Sequence, residues 1–471
     1  MKLQSIAILI AAGFCSSCTV GPNYRRPAVQ VPQAFHAPEP LPDSQAASFA
    51  DLKWWEVFRD EELQNLIKTE VQQNYDLRDA VTRVERARAN LGITRSDQFP
   101  QASASGNVNF TRLSRNGAFP LPPDLVPSQN RNWGQAQLSL LSFEVDLWGR
   151  LRRATEAARA SLLSAEENRK AVVTTLVSDV AAQYFTLREL DAQMEISRQT
   201  LATRQEALRL TTSRRNYGIA TDLDLKQAEQ LVDTADVTTS TLQQQIEQTE
   251  NQITLLLGEN PAGIERKSSF DENALPPEVP AGMPSALLER RPDIRAAEQN
   301  LIAANADIGV AKAAYFPQLS LSGLIGGQST QLSSLFSGPN SAWSFVPQLS
   351  QPIFTAGRLR SNVRLAEAQR DSAVVQYQKA IQTVFTEVSN ALIAHQRVRE
   401  AREKQESLVA VLEERKRLAY MRYQGGVDTQ LNALDADRDL LQAKLDLRQI
   451  KLNELLSVVQ LYKALGGGWQ S

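Results

Sequence analysis

The chain contains itself twice, and that duplication constrains its fold more than any other feature. Residues 76–106 lie on 293–323 in one ungapped register: Asp76, Arg78, Ala80, Gly92, Phe99, Pro100, Gln101 and Gly106 meet Asp293, Arg295, Ala297, Gly309, Phe316, Pro317, Gln318 and Gly323. Residues 141–261 lie on 349–469 in a second register. Its anchors are Gly149-Arg150-Leu151-Arg152 against Gly357-Arg358-Leu359-Arg360, Gly218 and Thr221 against Gly426 and Thr429, and Leu257-Gly258 against Leu465-Gly466. All the difference in length falls at 107–140 versus 324–348, where exposed loops absorb it.

Each copy reads helix, strand, loop, strand, then a very long helical hairpin. Over 101–113, Ala102, Ala104 and Val108 alternate with Ser103, Ser105 and Asn107, and over 132–147, Ala136, Leu138 and Leu140 alternate with Gln135, Gln137 and Ser139. A period of two makes a strand with two unlike faces. Between these strands lies a loop holding Gly117, Pro120, Pro122, Pro123 and Pro127. In the second copy the strands fall at 317–325 and 343–354, around a loop holding Gly326, Gly327, Gly338 and Pro339.

The hairpins are expected at 148–258 and 356–466. From Leu151 to Arg215 there is no proline or glycine, and Val173, Val180, Leu187, Met194, Leu201 and Leu208 recur at every seventh position. That is a coiled-coil seam, in a helix that approaches ~100 Å at about 1.5 Å per residue. It turns at Tyr217-Gly218 and returns to Leu257. The second hairpin turns at Gly425-Gly426 and returns to Leu465, with a less regular seam that has His395, a polar seam or surface residue, in the place of Leu187.

The beginning of the chain has the layout of a secretory signal: Met1-Lys2, an apolar run over 6–14 too short to span a bilayer, then small residues Ser16 and Ser17 before Cys18. This predicts a lipoprotein signal peptide at 1–17, a lipidated Cys18 and an extended segment over 18–53, although Cys15 stands where such signals usually carry Leu; the alternative is an ordinary signal peptide with an incidental cysteine. Cys15 and Cys18 are the only cysteines, so a mature chain beginning at Cys18 has neither an internal disulfide nor a thiolate metal site. Two histidines, His36 and His395, and no glycine-rich phosphate signature leave no basis for an enzyme, a metal or a cofactor. A net charge of -2 argues against a nucleic acid partner. Beyond residue 18 no stretch is long and apolar enough for a transmembrane helix, so any crossing is made by a β-barrel. Four strands cannot close one alone, and open edges are not tolerated in lipid, so chains must combine under cyclic symmetry.

Several runs then point to a family. They are Gly21-Pro22-Asn23-Tyr24-Arg25-Arg26-Pro27 after Cys18, Trp54-Trp55 with Phe58 and Leu63, and Glu289-Arg290-Arg291-Pro292-Asp293-Ile294-Arg295-Ala296-Ala297-Glu298. With them go Gly309-Val310-Ala311-Lys312-Ala313 before Phe316-Pro317, and Ala464-Leu465-Gly466-Gly467-Gly468-Trp469. From Cys18 to Gly468 the chain resembles the TolC-like outer-membrane efflux proteins, in their lipidated OprM/NodT-type branch.

The resemblance implies a mainly α protein with a membrane β-barrel, built as two repeats at 54–283 and 284–471. A homotrimer then forms a twelve-stranded barrel, a twelve-helix periplasmic α-barrel, and a mixed equatorial belt near 259–283 and the chain ends. It implies a lipid-anchored protein of the cell outer membrane that docks a periplasmic membrane-fusion adaptor and an inner-membrane pump of the resistance-nodulation-division type, and exports small molecules such as drugs. The lipoprotein signal and the terminal Gly-Gly-Gly-Trp favour efflux. The alternatives are a type I secretion duct and a non-conducting, periplasm-spanning structural lipoprotein.

In the second hairpin the family's gate pattern maps onto Arg422, Tyr423, Gly426, Thr429, Leu431, Asn432, Leu434, Asp435 and Ala436. Its acidic gate positions fall on Asn432, which departs from the pattern, and Asp435; a locking basic residue falls on Asp428, a second departure. The matching acid of the first hairpin is Asp224. Three copies of Asp435 around a narrow lumen repel anions and attract cations. A local explanation competes, since acids at a helix N-terminus also serve as caps. It suits Asp222, and Asp224 in part; Asp435 lies beyond the first turn, with Thr429 the expected cap. The aromatics Phe110, Trp133, Trp343 and Phe345 flank the strands, as an interfacial girdle or as packing against neighbouring chains. Trp54 and Trp55 are expected to pack in the belt.

Overall fold

A computed structural model describes residues 19–32, 34–37, 51–58, 60–114, 129–266 and 284–469. In chain order its main elements are α1 (Trp54–Val57), α2 (Glu61–Gln73), α3 (Tyr75–Ser96), β1 (Ala102–Arg112), β2 (Asn130–Val145), α4 (Arg150–Asn216) and α5 (Asp222–Leu257). The second repeat gives α6 (Leu287–Arg290), α7 (Pro292–Ala313), β3 (Gln318–Ser329), β4 (Ser341–Ser350), α8 (Arg358–Gln424) and α9 (Gln430–Ala464). Two compact units cut across the repeats: one is drawn from Met1–Ala28, Arg83–Ala165 and Ala296–Tyr377, the other from Val29–Thr82, Glu166–Arg295 and Gln378–Ser471. Among the described residues no helix is long and apolar enough to cross a membrane.

The first unit holds one antiparallel sheet in the order β1-β2-β3-β4, so β1 and β4 are its edges. The register sets Ala104 opposite Leu138, Leu138 opposite Ile325 and Ile325 opposite Trp343. Cross-strand partners share a face. Val108, Phe110, Leu138, Leu140, Ile325, Trp343 and Phe345 therefore lie on one face, and Ser103, Ser105, Asn107, Gln135, Gln137 and Ser139 on the other. Between Leu140 and Phe143, β2 carries one extra residue against β3. This bulge keeps Phe143 and Val145 on the apolar face, opposite Leu321 and Leu319.

The strands differ from the sequence expectation at their ends. β3 continues through Gly326-Gly327 to Ser329, where a loop is expected from 326 onward. The Ala136 carbonyl lies where a Cβ on Gly326 would go, and the Leu335 carbonyl where one on Gly327 would go, so only glycine lets the strand continue there. β4 stops at Ser350 rather than at 354, because its partner β3 begins at Gln318, directly opposite Ser350, and offers no residue beyond it to pair with. β2 ends at Val145 rather than at 147, where Asp146 turns to accept the Arg152 N–H at 2.9 Å. The proline-rich loop over 117–127 lies outside the described residues.

The second unit contains α5, α9 and the parts of α4 and α8 that follow Ala165 and Tyr377. α4 and α8 are each 67 residues long. Both stop by the same device, a glycine in the left-handed region. Gly218, at φ 73, donates to the Arg215 carbonyl while Ile219 donates to that of Arg214, both at 2.9 Å. Gly426, also at φ 73, donates to Tyr423 at 3.0 Å while Val427 donates to Arg422 at 3.1 Å.

In the first hairpin, Leu187, Leu190 and Met194 of α4 form a core with Leu242, Ile246, Ile253 and Leu257 of α5, against which Leu66 and Ile264 pack. Each such side chain contributes about 1.5–3 kcal/mol when fully buried. The expected seam is only partly the buried one. Val180, Leu187 and Met194 are buried, whereas Val173, Leu201 and Leu208 are half-buried, and toward the Gly218 turn the fully buried heptad positions are Ser197, Arg204 and Thr211. In the second hairpin His395 sits in the seam, its Nδ1 2.9 Å from Ser457 Oγ. Burial, with Arg399 nearby, holds its pKa below the ordinary histidine value.

Candidate channel wall and hairpin tips

The sheet's apolar face is open. Phe110 and Trp343 are 77% and 76% exposed, and Leu349, Ile325 and Phe345 on the same face are also exposed. A contiguous apolar surface of this kind marks a site that water does not cover in the working protein. Of the four aromatics read from the sequence, Phe110, Trp343 and Phe345 share this face. Trp133 pairs with Asn109 and falls on the polar one.

The diagnostic runs serve as structural clasps within each unit. In the first, Glu298 accepts from Tyr24 Oη at 2.9 Å and from Arg26 Nε and Nη2 at 2.6 and 2.7 Å. Burial and this carboxylate raise the Tyr24 pKa. Arg153 Nη2 donates to Asn23 Oδ1 at 2.7 Å, and Asn305 Nδ2 donates to the Pro22 carbonyl at 3.0 Å. A Cβ on Gly21, whose φ is +104, would stand 2.5 Å from Gly309 Cα. In the second unit Trp54 is buried and meets Trp55 edge-on, with centroids 5.2 Å apart. Arg291 is held by Asp293, Glu387 and the Ala464 carbonyl. Gly467 lies so close to the Tyr462 ring that a side chain there has no room, and the Trp469 ring carries Lys170 Nζ 5.0 Å from its centroid.

At the tip of the first hairpin Asp224 is the third helical residue, and it completes a capping box. Its N–H donates to Thr221 Oγ1, and its Oδ2 accepts from the Thr221 N–H and hydroxyl, both at 2.8 Å. Those bonds hold the Asp224 pKa below the usual carboxylate value. Asp222, the stronger cap candidate in the sequence, instead accepts from Arg215 Nε at 2.8 Å. At the second tip Thr429 occupies the cap position, yet its side chain makes no cap hydrogen bond. Beside it, Asp428 Oδ1 accepts from the Thr429 N–H at 2.8 Å and from Asn432 Nδ2 at 2.6 Å, and its Oδ2 from Arg422 Nε at 3.0 Å. Hydrogen bonds from Asn432, Thr429 and Arg422 keep its pKa low.

Tyr423 accepts from Arg214 Nη1 of the first hairpin at 3.1 Å and donates to Gln430 at 3.3 Å. Asp435 lies on the exposed side of α9, 3.2 Å from Arg438 Nη1. Arg422, Asp428 and Asn432 thus form one cluster, Tyr423 belongs to a second with Arg214, and Asp435 stands apart from both with Arg438. Neither Arg214 nor Arg438 was legible as a partner, because the contact each makes depends on which helix face it occupies. Cys18 lies outside the described residues.

The family model described as "Outer membrane efflux protein" matches residues 66–259 and 283–467. The probable efflux pump outer membrane protein TtgC of Pseudomonas putida is 38% identical, covering 100% of this chain and 96% of its own length. A membrane protein from Pseudomonas aeruginosa of known crystal structure is 36% identical with a TM-score of 0.87, covering 95% of this chain and 100% of that one. The open state of the MtrE outer membrane channel of Neisseria gonorrhoeae is 31% identical with a TM-score of 0.85, covering 96% and 99%.

Proposed function

Because this chain belongs to the outer membrane efflux protein family, we propose that three copies form the lipid-anchored exit duct of a tripartite pump that expels small molecules such as drugs. Three four-stranded sheets close into one twelve-stranded barrel, and six hairpins close into a twelve-helix periplasmic tunnel. The supporting observation is the sheet with one exposed apolar face and two unpaired edges, β1 and β4, since neither edge is tolerable in lipid unless a neighbouring copy pairs with it. The equatorial belt includes 259–283, of which 267–283 lie outside the described residues. Cys18 carries the lipid. A periplasmic membrane-fusion adaptor and a resistance-nodulation-division pump complete the path, and the exposed Tyr217, Ile219, Leu223 and Val427 at the tips suit an adaptor's apolar contacts. The duct performs no chemistry; its work is selective opening.

The gate lies at the tips. Asp435 faces the lumen, with Asn432 one turn before it. Asp428, Arg422, Tyr423 and Asp224 shape the two turns that bring the helix ends together. Native mass spectrometry of protein extracted in mild detergent from the outer-membrane fraction is expected to give an acylated trimer, and a stable monomer overturns the duct. In planar bilayers Asp435→Ala is expected to lower cation preference, and unchanged conductance and selectivity remove Asp435 from the gate.

A further inference from the structure

Two residues beyond the proposed gate carboxylate, Asp437 faces the other way. Positions 435 and 437 are about 200° apart around a helix. The Asp437 side chain is 13% exposed against 37% for Asp435. Its neighbours Ala433, Ala436 and Leu440 are buried.

Two cations converge on Asp437. Lys416, from α8 of the same hairpin, contacts Oδ1, and Arg204, from α4 of the first hairpin, stands with Nε 3.8 Å from Oδ2. Arg204 is itself buried in a seam position. Its Nη1 donates to the Leu231 carbonyl of α5 at 3.1 Å, and its Nε has no hydrogen-bond acceptor. Asp437 is therefore the counter-charge of a buried guanidinium. Rotating α9, or drawing it away from the first hairpin, leaves that cation uncompensated, which is costly in a desolvated site. Arg448 to Glu189 and Lys463 to Asp179 also join α9 to α4, and of these three pairs Asp437 is the nearest to the turn.

We propose that Asp437 is a positioning residue for the channel: by tying α9 to Arg204 and Lys416 it fixes the rotation of α9 and hence the direction in which Asp435 points. The proposal rests on Asp435 belonging to the gate. In planar bilayers, trimers of Asp437→Asn and of Arg204→Met are expected to conduct several-fold more in the resting state than the parent. The charge-conserving Asp437→Glu and Arg204→Lys should stay near the parent, with thermal dissociation of each trimer measured in parallel. If the neutral variants lower the dissociation temperature but conduct as the parent does, while Asp435→Ala alters selectivity, Asp437 is merely structural and the proposal is overturned with the gate intact. If Asp435→Ala also conducts as the parent does, the gate assignment fails and the positioning role falls with it.

Discussion

Glu70, on α2, is fully buried, and neither of its carboxylate oxygens has a hydrogen-bond partner. Burial pushes its pKa from 4.5 up to about 9, and the charge of Asp179, itself 3.6 Å from Lys463, adds to the rise. The native pKa thus lies above the unfolded one. Below pH 4.5 the side chain is neutral in both states and titration costs nothing. As pH rises toward 9 the unfolded chain ionises while the native chain stays neutral, and stability falls by about 1.4 kcal/mol per pH unit. The loss is about 3 kcal/mol at pH 7, and it continues to grow until the native group also ionises. Glu70→Gln keeps the shape and removes the proton equilibrium. Its stability advantage over the parent should therefore widen from pH 5 to pH 7 by about 3 kcal/mol and widen further at pH 8.5. Urea dissociation of the detergent-extracted assembly at the three pH values measures the gap. A gap that does not change with pH refutes the reasoning, because it would mean that Glu70 is solvated or ionised in the native protein.

Arg448→Met leaves Glu189, whose side chain is 3% exposed, without a partner that now binds it at 2.7 and 2.9 Å. A loss of about 3–5 kcal/mol is expected, read as a lower dissociation temperature, and adding Glu189→Gln should restore much of it; no recovery contradicts the pairing. Gly21→Val places a side chain against the Gly309 backbone and should lift the segment over 19–26. Trypsin should then cut after Arg25 faster than in the parent, with Glu298→Gln giving a smaller acceleration, and equal rates contradict the clasp.

The repeat made most of the fold legible, because an ungapped register forces equal elements. The matched lengths of α4 and α8 and the matched left-handed glycines at 218 and 426 follow from it. Period two gave the faces of β1 and of β2 as far as Leu140. It could not give the bulge, since Leu140 and Leu141 are both apolar and only pairing with β3 decides which residue is extra. Gly326-Gly327 read as loop because glycine has poor strand propensity. The approach of the Ala136 and Leu335 carbonyls, which selects glycine there, is a tertiary fact.

The tips were legible as places and less so as contacts. Spacing proposed caps, but Asp224 completes a capping box with Thr221 while Asp222 pairs with Arg215, and Thr429 stands at the cap position without a side-chain cap bond, since capping depends on where the chain enters the helix. Hydrophobic periodicity also followed the wrong stripe near the turn, because the buried positions there, Ser197, Arg204 and Thr211, are polar. A polar residue in such a seam lowers stability and specifies register. Long helices packed through Leu and Ala lose little apolar contact if one slides by a heptad. Sliding α9 by seven residues brings Lys444 or Gln430 to the place of Asp437, setting a second cation or a neutral amide beside Arg204. It brings Leu455 or Leu441 to the place of Arg448, taking from the buried Glu189 the guanidinium that binds it at 2.7 and 2.9 Å. Each such slide thus takes an opposite charge away from Arg204 and from Glu189, and the native alignment of the two hairpins is the one of the three that keeps both pairs.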